Sequence, residues 1–348
     1  MERFNCIGQR RRSQRDRYEC NISSNLCRRV FRRLKSHHRN SNHVISWLNA
    51  SQTVMKAAPF AYSRVANVDE ACAMLASDES ARVIAGGQTL VPMMVMRLVR
   101  PTQLIDINRI VELSYIRSDG DTISIGATTR QCLVERDALI AADIPLLARA
   151  ISFVGHAATR ARGTIGGSLA NADPAAELPL IAITLEATLA YRAGGRTEKM
   201  AARDFYIGPM TTSLPSDAVL TSVQFPKWLG KVGVSFCEVN ARRSDFAFVA
   251  AAVQVELGDD GRCDRIAIGI GAATDFPIRL ASAEHQLKGS ALDAVTVKGA
   301  VLEALADFAP LSDLHASAEY RRRVAADLTT RAVVDARSHA LGRQLHAH

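Results

Sequence analysis

Two short runs carry the residue types from which a phosphate-binding turn can be built: IAGGQTL at 84–90 and GTIGGSL at 163–169. Each places a β-forming residue before a Gly-Gly pair and a hydrogen-bonding side chain after it. Glycine adopts positive φ without steric cost and lets bare N–H groups approach a ligand, so such turns form nests for an anion. A phosphate or pyrophosphate is the natural guest. A single Gly-Gly is more often an ordinary tight turn; two with hydroxyl followers, about 80 residues apart, strengthen the reading as a cradle. Neither run is a P-loop, because no Gly-Lys-Ser/Thr follows, and neither is a Gly-x-Gly-x-x-Gly dinucleotide fingerprint.

The elements that would position these runs can be read from hydrophobic periodicity. Residues 55–65 alternate as a strand, 68–76 read as a helix, 82–85 as a short buried strand and 89–98 as a helix that tolerates Pro92 near its first turn. Strand patterns follow at 103–107 and 122–127, helical ones at 129–136 and 145–153. The second glycine run leads through an acidic, alanine-rich turn into a helix at about 177–186, and a strand at 219–226 ends on Pro226. Beyond residue 230 come three long β-patterned runs, at 232–239, 245–257 and 263–273, with GDDGR at 258–262 as a hairpin signal between the last two. Helical patterns at 279–287, 291–308 and 317–338 complete the chain. The expected class is α+β, ending in a domain with a three-stranded antiparallel sheet covered by helices.

The 348 residues are 48% hydrophobic and 22% charged, which suits an ordinary globular protein. The net charge of +8 invites a nucleic-acid reading, but 12 of the 43 Lys and Arg and only three of the 35 Asp and Glu fall in residues 1–54, leaving the body at −1. No nucleic-acid partner is expected for that body. Residues 1–54 lack a sustained hydrophobic period, so they are expected to be a disordered basic extension. Three readings stand: a basic arm, an organelle-targeting segment, or a start-site artefact with translation beginning at Met55, the last being favoured. No run of 18 apolar residues and no secretory core are present, so no membrane span and a cytoplasmic location are expected. Seven widely spaced cysteines with no Cys-x-x-Cys pair argue against a disulfide framework, a zinc site or an iron-sulfur cluster on this chain.

Taken in order, AGGQTLVPMM (85–94), QLIDI (103–107), IGATTR (125–130), TRARGTIGGSLANADPAAELP (159–179), DFYIGPMTT (204–212), EVNARRSDFAFVAAA (238–252) and SAEYRRRV (317–324) resemble the FAD-binding medium subunit of molybdenum hydroxylases. That family includes the carbon monoxide dehydrogenase medium chain and the flavin domain of xanthine dehydrogenase. The resemblance implies a two-subdomain FAD-binding domain of p-cresol methylhydroxylase type at 55–229 (subdomains about 55–110 and 111–229) and a C-terminal α+β domain at 230–348. It implies that Ala85, Gly86, Gly87, Gln88, Thr89 and Leu90 hold the FAD pyrophosphate through main-chain N–H groups, and that Thr164, Gly166, Gly167 and Ser168 close over it from the other side. Glu177 falls where relatives place an acidic residue near the polyol or ribose, with Asn171 and Asp173 in the turn before it. Thr128 and Thr129 match a segment approaching the flavin, while Leu220 and Glu238 fall near cofactor-touching positions.

Plainer roles compete at several of these positions. Thr128 and Thr129 can cap a helix, Glu177 can complement a helix dipole, and Arg160 and Arg162 can counter phosphate or face solvent. His156 reads as a structural histidine, and Met93, Met94 and Met96 as core. No residue set supplies a triad, a metal site or an acid–base pair of carboxylates, so redox chemistry falls to the flavin. By resemblance, molybdopterin belongs to a large partner and [2Fe-2S] clusters to a small one, in a dimer of heterotrimers, with electrons reaching FAD here and leaving to an external acceptor. The competing readings are a self-sufficient FAD-dependent oxidase or dehydrogenase of the same cofactor fold and a non-enzymatic basic-arm protein.

Overall fold

The computed structural model describes residues 56–342; the expected basic extension lies outside them. Strands β1 (Ala61–Arg64), β2 (Arg82–Ile84) and β3 (Gln103–Asp106) form a parallel sheet ordered β1-β3-β2. Parallel pairing demands crossovers, and the helices Val68–Ser77 and Leu90–Val95 provide them. Asn67 starts the first helix by accepting the N–H of Glu70 at 2.8 Å. Its Ala71, Cys72 and Leu75 then cover Ile105 in a small core. The second helix is shorter than its pattern because Arg97 turns left-handed at φ 59° and the N–H groups of Arg97 and Leu98 return to the carbonyls of Met94 and Met93. That closure ends the helix before the apolar pattern does.

A five-stranded antiparallel sheet follows, ordered β4-β5-β10-β6-β7. Its members are β4 (Ile116–Asp119), β5 (Thr122–Gly126), β6 (Thr188–Ala193), β7 (Arg196–Ala201) and, beyond the small hairpin of β8 (Tyr206–Gly208) and β9 (Thr211–Thr212), β10 (Val219–Pro226). The second glycine run departs most from its sequence reading. Ile165–Asn171 is a helix rather than an open loop, with both glycines in its first turn behind a Thr164 N-cap. Helices inserted between β5 and β6 pack Leu146, Leu147, Leu169 and Ile181 against Ile123, Ile125 and Phe225 in the largest core.

The C-terminal sheet contains the three expected long strands, β11 (Lys231–Asn240), β12 (Ala247–Leu257) and β13 (Cys263–Gly271), plus a two-residue edge strand, β14 (Ile278–Arg279). Alternation along β12 divides its side chains. Val249, Ala251, Val253 and Val255 join a core with the helices Ala281–Leu287, Ala294–Ala304 and Ala318–Ala340, while Ala250 and Ala252 join the largest core. Against that second face lies the helix Glu177–Thr184, buried from Leu178 to Thr184 as its uniformly apolar sequence requires. The approach is close: a Cβ on Gly269 would overlap Thr184 Oγ1. This packing fixes the helix whose first residue is Glu177, and the molecule is of the expected α+β class.

Candidate functional site

A cavity of about 600 Å³ is lined by both glycine runs, the start of β10, the first residue of the helix Glu177–Thr184 and the turn at 244–246 between β11 and β12. Fourteen positions anticipated from sequence line it: Ala85, Gly86, Gly87, Gln88, Thr89, Leu90, Thr164, Gly166, Gly167, Ser168, Asn171, Asp173, Glu177 and Leu220.

The two runs do different work. After β2 ends at Ile84, Gly87 turns at φ +69° and the helix Leu90–Val95 begins three residues later. Among the described residues no acceptor meets the N–H groups of Gly86, Gly87, Gln88 or Thr89. Four main-chain donors in sequence thus remain for a ligand at the cavity wall, where unsatisfied amides are costly unless water or an anion meets them. In the second run the donors are already used. Ile165 N–H donates to Thr129 O at 3.0 Å, Gly166 N–H to Ala127 O at 2.8 Å, Gly167 N–H to Thr164 Oγ1 at 3.1 Å and Ser168 N–H to Thr164 O at 3.2 Å.

The glycines of the second run are needed by the protein's own packing. A Cβ on Gly166 would lie 2.5 Å from the Ala127 methyl, and one on Gly167 would lie 2.6 Å from Thr164 Oγ1. Gly86 meets the second run directly, since its Cβ would stand 2.6 Å from Arg162 O and 2.9 Å from Gly163 Cα. The arrangement is therefore one nest facing a smooth glycine wall, the two pressed together at their near ends.

Charge around the cavity is mostly acidic. Asp173, Glu177 and Asp245 line it, opposed by Arg82, and His156 also stands in the lining. Burial, reinforced by Asp173 and opposed by its own N–H and by Arg160, raises Glu177 to about 7. Burial also raises Asp173, whose Oδ1 accepts the Ala175 N–H at 2.9 Å. Glu238 on β11 does not line the cavity; burial and the charge of Glu177 raise it to about 8, and its Oε1 accepts from Asn240 at 2.8 Å. With its carboxyl raised to about 7, Glu177 is partly protonated near neutral pH and in that form can donate a hydrogen bond to a ligand's hydroxyl.

Thr128 and Thr129 stand outside the lining as well. Thr129 Oγ1 donates to Tyr115 O and accepts from Tyr115 N, both at 3.0 Å, so it secures the segment before β4. Thr128 is buried with no partner for its hydroxyl among the described residues. Arg160 does not line the cavity and is largely buried: it grips Glu135 through two 2.9 Å bonds and donates to Val154 O and Gly155 O. Sequence reasoning did not pick out Gln131, which lines the cavity at 4% exposure with a partnerless Oε1, nor Phe246, 71% exposed at the rim. No local signal marks either, because both are brought to the site by pairing of distant segments. The nest, the glycine wall and a buried amide without a partner fit a flavin dinucleotide with its pyrophosphate at residues 86–89.

Residues 58–228 match the family described as the FAD binding domain in molybdopterin dehydrogenase, and residues 234–336 match the CO dehydrogenase flavoprotein C-terminal domain. The chain is 34% identical to the 6-hydroxypseudooxynicotine dehydrogenase complex subunit alpha of Paenarthrobacter nicotinovorans, over 81% of this chain and 96% of that protein. It is 33% identical to the carbon monoxide dehydrogenase medium chain of Afipia carboxidovorans, over 81% and 98%. Among solved structures, quinoline 2-oxidoreductase from Pseudomonas putida 86 superposes with a TM-score of 0.79 at 34% identity, covering 82% of this chain and 100% of that one.

Proposed function

Because the chain belongs to the family of FAD-binding medium subunits of molybdenum hydroxylases, we propose that it is the electron-transfer flavoprotein of a three-subunit oxidoreductase. When bound, FAD would supply the redox chemistry between [2Fe-2S] clusters on a small partner and an external acceptor. A large molybdopterin-binding partner selects the substrate, and two heterotrimers form the assembly. The residues of this chain bind and orient. Gly86, Gly87, Gln88 and Thr89 present N–H groups to the pyrophosphate, Gly166 and Gly167 allow close approach on the other side, and Glu177 meets the sugar-like part of the cofactor.

The observation that carries this reading is the run of four N–H groups with no acceptor among the described residues, at a cavity of about 600 Å³. We take residues 55–229 as the cofactor domain, 230–348 as the second domain and Met55 as the translation start, in a cytoplasmic protein. Purification of the untagged protein from its source tests the subunit assignment and the translation start together. The expected result is a yellow complex with one larger and one smaller partner and a medium chain whose mass begins at Met55. A lone flavoprotein that turns over substrate contradicts the subunit assignment, and a peptide from residues 1–54 contradicts the start.

A further inference from the structure

Two side chains that do not line the cavity join its two walls. Asn108, just beyond β3, donates from Nδ2 to Ala85 O at 2.9 Å and to Asp106 Oδ1 at 2.6 Å, while its own N–H donates to Asp106 Oδ1 at 2.8 Å. Its Oδ1 accepts from Arg130 Nη2 at 2.7 Å, and Arg130 Nη1 donates to Arg162 O. The hydrogen-bonded path therefore runs from Ala85 O, immediately before the nest, through Asn108 and Arg130 to Arg162 O, immediately before the glycine wall. Arg162 O is also the atom that a Cβ on Gly86 would strike, at 2.6 Å.

Both ends of the path are anchored. Asp106 accepts from the Tyr62 hydroxyl and pairs with Arg64 at 3.6 Å, which ties Asn108 to the parallel sheet. Arg130 bridges to Thr164 in a strand-like pair, and Gln131 N–H donates to Gly163 O at 3.0 Å, which ties Arg130 to the second run. The first glycine run rests on the parallel sheet and the second on the helices after β5. Their separation is thus set across two structural layers, at the point where one cofactor must touch both.

We propose that Asn108 and Arg130 are positioning residues that set the spacing between the N–H nest and the glycine wall, and thereby the affinity for the dinucleotide. The inference rests on the FAD-binding reading given above. Arg130 suits the role because a planar guanidinium presents two N–H groups in fixed divergence to two acceptors, whereas a lysine ammonium cannot hold both in that geometry. Asn108 suits it because one amide donates to the nest side while accepting from the other. Asn108 is exposed and Arg130 half-buried, so their loss costs the fold little. A cofactor site, by contrast, is sensitive to displacements of about half an ångström in its supports.

The test uses the full chain, stripped of flavin and titrated with FAD, as wild type and as Asn108→Ala, Arg130→Ala, Arg130→Lys and the double alanine variant. Each single alanine variant is expected to weaken FAD binding about tenfold, near the lower end of the range for one charge-assisted hydrogen bond. The double variant should weaken it no further than either single, because both cut one path. Arg130→Lys should fail to restore affinity, and the flavin-free melting temperature should stay within about 2 °C of wild type in all four. Wild-type affinity in the singles, penalties that multiply in the double, rescue by lysine, or a melting temperature that falls in every variant would each overturn the inference. Failure of the wild-type chain to bind FAD would instead sink the functional reading beneath it.

Discussion

At the scale of single residues, Glu177 carries the sharpest pH signature. Its folded carboxyl is raised to about 7, chiefly by burial, so the native state holds a proton that the unfolded chain has already released. The resulting stabilisation is fully present below the ordinary carboxylate range and is lost as pH rises through about 7. Glu177→Gln cannot ionise. In the flavin-free chain it should therefore be more stable than wild type above about pH 8, by about 1–3 kcal/mol, with the difference closing below about pH 5. Urea unfolding at the two pH values measures this; equal stability at high pH would show that Glu177 is solvated and ordinary. Glu177 stands as a candidate through the family resemblance, since a glutamate at a helix start reads locally as a dipole partner, and its raised pKa has no sequence signal. That property depends on Asp173, on Arg160 held away by Glu135, and on the packing that buries the carboxyl.

At the scale of elements, the helix Glu177–Thr184 is the keel between the cavity walls and the C-terminal sheet. Gly269 and Gly271 on β13 admit it: a Cβ on Gly271 would sit 3.0 Å from Leu180 Cδ2, and one on Gly269 far closer to Thr184. Gly269→Ala should destabilise the chain by about 2 kcal/mol through overpacking. Adding Thr184→Ala should recover part of that loss, so the double variant is more stable than the sum of the singles predicts. Strict additivity by thermal or chemical unfolding would contradict this contact.

Elements with a strong apolar period, such as β10, β12 and the helix Val68–Ser77, were readable from sequence because burial imposes the period directly. β6 and β7 were not read. β7 is RTEKMA, mostly exposed, and carries little apolar pattern, although Gly194 and Gly195, both at positive φ, mark the turn between the two strands. The helix Ile165–Asn171 was masked by its glycines, which suggest a loop until Thr164 is seen to cap it and Ala127 to press on Gly166.

At the scale of the whole molecule, the motifs that named the cofactor are short and local, whereas their division of labour is a product of tertiary pairing. Both runs looked like donors in sequence. Only the hydrogen bonds from Ile165, Gly166, Gly167 and Ser168 to segments 127–129 and to Thr164 leave residues 86–89 as the sole main-chain nest of the two. The central claim is that this nest holds a pyrophosphate. Its most direct test compares FAD with riboflavin, which carries the same ring without phosphate, on the full chain and on Gly87→Val, where the φ of +69° excludes a β-branched residue. FAD should bind wild type at least ~100-fold more tightly than riboflavin, as two charge-assisted hydrogen bonds would provide, and Gly87→Val should erase most of that gap while leaving riboflavin affinity nearly unchanged. Equal affinity of wild type for the two flavins, or a gap that survives Gly87→Val, would contradict it.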